Sequence, residues 1–279
     1  MNPADLNRAD LNPADVEPAD LHPSDVHPLD AHRSDAHRSD AHRSDVHPPD
    51  RWPPGPAVPS LAEGEVHVWR TRLDPPEPVA RRYAELLDPQ ERARADRCRL
   101  PVERARFVAA HGALRTVLAR YTGRAPAALR LDRTTRGRPR LAAAPHPGAL
   151  DFNLSHSGDL ALIAVTRTGT VGVDLEEVRA DLDHRAMAAR FLGPAEARQI
   201  AKLPPAAGRY AFYHRWTWRE AYAKAADLPV PRRLGSGTPG PLPITVDLWK
   251  LSNLPLDKGY CATVAASGSC APPLRWTLT

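Results

Sequence analysis

Asp174, Glu176 and Glu220 are three acids that backbone periodicity can bring together, with Lys224 as a cation beside them. In Phe212 to Ala226 (FYHRWTWREAYAKAA), Trp216, Glu220 and Lys224 recur every four residues, so on an α-helix they share one narrow arc. Val171 to Glu176 (VGVDLE) reads as a strand, whose period of two points Asp174 and Glu176 to the same side. Two like charges about 4 Å apart repel by roughly 4 kcal/mol at an effective dielectric near 20, so converging carboxylates need a cation or a proton. A hard divalent ion such as magnesium, with a phosphate completing its shell, suits such a set. The same spacing also suits a solvated surface, with Glu176 in water and Glu220 and Lys224 as an exposed i,i+4 pair. Spacing alone favours that plainer arrangement.

Several elements must position these residues. Val66 to Arg70 alternates like a strand, and Asp88-Pro89 opens a helix through Arg97 as N-cap and N1. Val102 to Tyr121 carries helical apolar spacing and is closed by Gly123. Arg133 to Arg140 (RTTRGRPR) is a basic turn whose guanidinium forks suit bidentate phosphate contact. Phe152 to Gly158 (FNLSHSG) follows as an extended piece; its adjacent Ser155 and His156 point apart and do not make a nucleophile and base pair. Leu160 to Thr166 and Thr170 to Leu175 read as a hairpin across residues 167–169. Two short helices over 185–191 and 194–202 precede the helix of about 208–226, and strands at 244–250, 260–265 and 274–278 close a mixed α+β chain.

The 279 residues are 42% apolar with a net charge of +5, enough for a sizeable core. The first fifty residues hold ten Asp at a spacing of five and carry −7, leaving +12 on the remainder. His22 to His47 also recur every five residues, but Pro13, Pro18, Pro23, Pro28 and Pro48 would remove ladder donors from a pentapeptide β-helix. Residues 1–51 therefore read as a disordered low-complexity tail and 52–60 (WPPGPAVPS) as a proline-rich linker. The chain lacks an apolar run of 18 residues and a secretory leader, which leads to the expectation of a cytoplasmic protein without membrane contact. Cys98, Cys261 and Cys270 are widely spaced and read as ordinary reduced thiols. A basic surface suits nucleic acid, acidic proteins or phosphorylated small molecules; sparse aromatics among the arginines argue against nucleic acid.

FNLSHSG at 152–158, GVDLEEVR at 172–179 and WTWREAYAKA at 216–225, with ERARADRCR at 91–99 and RGRP at 136–139, resemble in order and spacing the blocks of surfactin-type (Sfp-like) 4'-phosphopantetheinyl transferases. The resemblance covers roughly residues 61–279. It implies a pseudo-twofold α+β fold of two similar subdomains, 61–150 and 151–279, with coenzyme A between them. It implies a monomeric, magnesium-dependent enzyme of carrier-protein activation, as in secondary metabolite biosynthesis. In that reaction the arm of coenzyme A passes to a serine of an acyl, polyketide or peptidyl carrier protein and 3',5'-ADP leaves. Carried over by position, Asp174, Glu176 and Glu220 match the metal-binding acids, Lys224 the phosphate-side lysine, and Trp216 the packing anchor. Ser155 and His156 match a coenzyme A-contacting pair, Arg138 a basic residue of the turn, and Arg133 and Arg94 are further nucleotide contacts. Glu220 or a metal-bound water would take the serine proton. Ala226, Asp227, Leu228 and Pro229 replace the family's glycine-rich continuation, and His111 stands where many relatives carry arginine. The competing expectations are a nucleic-acid-binding module and an inactive coenzyme A-binding homologue.

Overall fold

The computed structural model describes residues 52–142, 149–229, 244–246, 249–268 and 271–279. The expected repeat tail, and most of the proline- and glycine-rich stretch after Pro229, lie outside these residues.

Strand β1 (Val66–Arg72) is followed by helices α1 (Glu77–Leu86), α2 (Pro89–Ala95) and α3 (Pro101–Thr122). Asp88 caps α2 by accepting from the Glu91 N–H, and the Glu91 side chain accepts from the Asp88 N–H in return, so both orphan donors are satisfied. Gly123, at φ 67°, ends α3 in the left-handed conformation that lacks a steric cost only for glycine. Helix α1 carries no polar side-chain cap, so the sequence offers no N-cap start signal for it. Strands β2 (Leu131–Arg133) and β3 (Pro139–Leu141) pair across the basic turn. Strands β4 (Asp151–Ser157), β5 (Leu160–Thr166) and β6 (Val171–Glu177) then lead into α4 (His184–Phe191), α5 (Pro194–Ala201) and α6 (Pro205–Ala226). Strands β7 (Ile244–Val246), β8 (Trp249–Asn253), β9 (Tyr260–Ser267) and β10 (Leu274–Thr277) complete the chain.

Two four-stranded sheets result, in the orders β10-β1-β5-β4 and β6-β9-β8-β7, with only the β1–β10 pair parallel. The expected β5–β6 hairpin is therefore incorrect. β5 lies between β1 and β4, while β6 pairs with β9 across the other sheet. The physical reason is that every residue of β5 is buried, so it takes the interior of a sheet rather than one arm of a half-solvated hairpin. The change of sheet falls between Thr166 and Val171, with 151–166 in the sheet of β1.

The segment read as a linker is packed instead. Trp52 is buried, its indole donates to the Pro255 carbonyl at 2.9 Å, and the guanidinia of Arg70 and Arg275 lie over its ring. Pro54 forms a bridge to Thr277, and the Thr277 N–H donates to Pro53. An aromatic of this size gains too much from burial to be left in a spacer.

Apolar residues of α1, α2 and α3 close one core against the first sheet, around Trp69, Leu114, Leu118, Phe152 and Ile163. A second cluster joins the sheets to each other through Val66, Val68, Leu162, Val173, Leu175 and Val264. Trp218, Ala221 and Ala225 seat α6 on Leu251 and Ala265 of the second sheet. Among the described residues no helix is long and apolar enough to cross a membrane.

Candidate active site

β4 and β6 are facing edge strands of different sheets, and side chains join them. Asp151, Asn153, Ser155 and Ser157, all on one side of β4, accept the N–H groups of Val171 (2.7 Å), Val173 (2.9 Å), Leu175 (3.3 Å) and Glu177 (3.0 Å). Each such bond contributes about 1 kcal/mol net, and each removes an unpaired donor from a sheet edge. The alternation DxNxSxS in residues 151–157 is thus the sequence trace of this junction, of which the sequence reading took only Ser155, as a ligand contact. Its consequence is register. Asp174 and Glu176 come out on the opposite side of each donating residue, toward α6.

Helix α6 places Trp216, Glu220 and Lys224 on the stripe that faces them. The Lys224 ammonium donates to Asp174 Oδ1 at 2.6 Å and to Ser155 Oγ at 3.2 Å, and the Ser155 hydroxyl donates to Asp174 Oδ1 at 3.1 Å. Glu176 accepts from the Trp216 indole at 3.2 Å and from the Ser157 hydroxyl at 3.2 Å. Trp216 stacks on Phe212 and meets Phe191 edge-on, so its packing and its hydrogen bond act together. Trp216 does more than anchor a helix. It orients a carboxylate, which spacing could not show.

Burial, then the neighbouring Asp174 charge, push Glu176 up to about 8, and burial also pushes Glu220 up to about 8 against the attraction of Lys224. Burial works against the Lys224 ammonium, but Asp174 and Glu220 outweigh it and raise its pKa. One cation therefore serves three acids, and Asp174 Oδ2 and Glu220 Oε2 are buried without a hydrogen-bond partner. Orphaned carboxylate oxygens facing excess negative charge are the donor chemistry of a hard divalent cation. The residues fit such an ion in type and charge, although among the described residues no three or more acid, histidine or cysteine side chains already stand close enough to hold one. The exposed i,i+4 pair is excluded, because Glu220 is 3% exposed.

Apart from Lys224, the expected coenzyme A contacts fall in four different places. Ser155 is buried and committed to Leu175, Asp174 and Lys224. His156 lies on the opposite face of β4, the side of Phe152 and Leu154, and is half-buried. Arg94 and Arg133 line one small pocket together with Asp88, Gln90, Glu91, His111 and Leu131, which none of the carboxylate-site residues enters. Arg138, expected on phosphate, faces protein oxygens: Nη1 donates to the carbonyls of Lys224 (2.8 Å) and Ala225 (3.2 Å), and Nη2 to Asp151 (2.6 Å), the Phe152 carbonyl (3.1 Å) and the Val171 carbonyl (2.7 Å).

Under that pocket, His111 Nδ1 meets Glu91 Oε1 at 2.9 Å, and Arg115, fully buried, donates to Glu91 at 2.6 Å and to Asp88 at 2.7 Å. Burial opposes ionisation of Glu91, but His111, the Asp88 N–H and Arg115 together hold its pKa below the usual value.

The sequence is 37% identical over 223 residues to the 4'-phosphopantetheinyl transferase HetI of Nostoc sp., an alignment spanning 78% of this chain and 94% of that protein. The chain belongs to the 4'-phosphopantetheinyl transferase family. It is a transferase enzyme. This transferase is also 31% identical over 198 residues to a Synechocystis sp. protein that carries the same activity name provisionally, covering 68% of this chain and 79% of that one. It is 27% identical over 243 residues to a phosphopantetheinyl transferase of Thraustochytrium sp., covering 76% and 83%. The profile of the 4'-phosphopantetheinyl transferase N-terminal region matches residues 73–168, and that of the 4'-phosphopantetheinyl transferase superfamily matches 170–256. The two matches meet where the chain leaves β5 for β6. Family membership leaves the nucleic-acid-binding reading without support.

Proposed function

We propose that this transferase moves the 4'-phosphopantetheine arm of coenzyme A onto a serine hydroxyl of a carrier protein, with release of 3',5'-ADP. The observation that carries the reading is the set of buried Asp174 and Glu220 and half-buried Glu176 against the single ammonium of Lys224, with two carboxylate oxygens unpartnered. Asp174, Glu176 and Glu220 would hold a magnesium ion. Bound there, the ion supplies charge stabilisation for the pyrophosphate oxygens of the donor.

The chain's own groups then divide the work. Lys224, held on Asp174, adds a positioned positive charge where negative charge develops during phosphoryl transfer. Trp216 fixes the Glu176 carboxylate, and Ser155 fixes Asp174, so neither acid needs to reorganise during reaction. Glu220, in its ionised form, is the proposed acceptor of the proton from the attacking serine. Arg94 and Arg133 in their shared pocket, and His156 on β4, remain the proposed contacts of the coenzyme A nucleotide.

We infer further that the two halves of the fold are similar units. In support, the chain has two four-stranded sheets and two 22-residue helices that each begin at a proline and end at a left-handed residue, Gly123 after α3 and Asp227 after α6, with β4, β5 and β10 joining β1 in the first sheet.

Incubating the protein with an apo carrier protein, coenzyme A and magnesium and weighing the intact carrier tests the function. Addition of one phosphopantetheine arm supports it. An unchanged mass across acyl, polyketide and peptidyl carriers would refute it.

A further inference from the structure

The guanidinium of Arg138 occupies a junction of three elements. Its Nη1 takes the carbonyls of Lys224 and Ala225, the last turn of α6, whose carbonyls have no partner within the helix. Its Nη2 takes Asp151 and the Phe152 carbonyl at the start of β4 and the Val171 carbonyl at the start of β6, three residues from Asp174. The side chain is 10% exposed, so this fork is spent inside the protein. The turn that carries it is itself tied down: the Arg138 N–H donates to Thr134 Oγ1, the Thr134 N–H to the Arg138 carbonyl, and the Thr134 hydroxyl to Asp227 at the helix end.

We infer that Arg138 is a positioning residue that acts through Lys224, setting the height of the last turn of α6 over β6 so that the Lys224 ammonium meets Asp174. A planar fork reaches carbonyls on two elements at once, whereas a lysine ammonium is a point donor on a flexible stem and cannot hold both. This inference rests on the proposed transferase site for its kinetic consequence, but not for its structural one.

The test uses the full chain with Arg138→Lys and Arg138→Gln. With apo carrier, coenzyme A and magnesium, kcat falls at least about tenfold while the KM for coenzyme A changes less than about twofold, as displacement of a catalytic group by a fraction of an ångström produces. Amine labelling with peptide mapping adds a readout independent of turnover, because the chain has only Lys202, Lys224, Lys250 and Lys258 as lysines. Labelling of Lys224 rises in the variants while that of half-buried Lys250 stays as in wild type. If Arg138→Gln does not fold, Arg138→Lys carries both measurements, its new amine being resolved on a separate peptide.

A raised KM with unchanged kcat and a protected Lys224 would make Arg138 a phosphate contact and overturn the inference. Parallel gains at Lys224 and Lys250 would overturn it as well, by showing general loosening. Absence of transfer in wild type together with selective exposure of Lys224 would sink the transferase reading and leave the positioning role standing.

Discussion

Gly172 on β6 lies directly beneath Ala221 on α6, so close that a Cβ added at 172 would stand well inside 3.0 Å of the Ala221 carbonyl oxygen. Helix and strand touch backbone to backbone here, two residues before Asp174 on β6 and one after Glu220 on α6. Only glycine allows that approach. Gly172→Ala should lift α6, cost about 1–3 kcal/mol in stability, and reduce transfer more than its stability loss alone accounts for. Thermal melting beside carrier-mass kinetics separates the two effects.

Glu220 is a buried acid with an unpartnered oxygen, so its charge is a liability to the fold and an asset to the site. Glu220→Gln keeps the shape while removing the repulsion with Asp174 and Glu176. Transfer should vanish and the melting temperature of metal-free protein should stay level or rise. Asp174→Ala should likewise abolish transfer. Wild-type turnover in either variant would show that these acids do not serve the reaction.

The raised pKa values of Glu176 and Glu220 make a prediction about pH. Their ordinary value is 4.5 and their folded values lie near 8, so the folded state holds extra protons across that window. Stability of the metal-free protein should therefore fall as pH rises from about 5 to about 8. Magnesium should stabilise more at pH 8 than at pH 5, since it needs the ionised carboxylates. Melting curves at the two pH values, with and without magnesium, measure this.

Glu91 gives the opposite sign. Its folded pKa is depressed, so its contribution is complete above the ordinary 4.5 and is lost as pH falls through the folded value. Glu91→Gln should cost about 3–5 kcal/mol, because it removes one of two acids facing the fully buried Arg115. Denaturant unfolding at pH 7 would read the loss, and the variant's stability should respond less to acid.

Asp227 holds φ 51° and ψ 47°, the one positive φ outside glycine among the described residues. It closes α6 as the residue just past its end. Asp227→Gly should relieve the left-handed conformation, worth about 1 kcal/mol, and lose the Thr134 hydrogen bond at the helix end, so the melting temperature should rise by less than that relief alone would give.

The sequence determined the local parts of this site. Periods of four in Trp216, Glu220 and Lys224 and of two in Asp174 and Glu176 follow from helix and strand geometry, and both elements formed as expected. The capping box at Asp88 and Glu91 and the Gly123 stop were legible for the same reason: each is satisfied within a few residues of chain. Tertiary structure decided whatever depends on distant partners. Thr166 and Val171 are close in sequence, but their strands belong to different sheets because burial of β5 outweighed the turn signal. Ser155 and Arg138 carry groups that suit phosphate, and only the arrival of β6 and the end of α6 assigned them to protein donors and carbonyls. A polar side chain takes whichever partner the fold brings within 3 Å or so, and that partner is set by packing between segments, not by its neighbours along the chain.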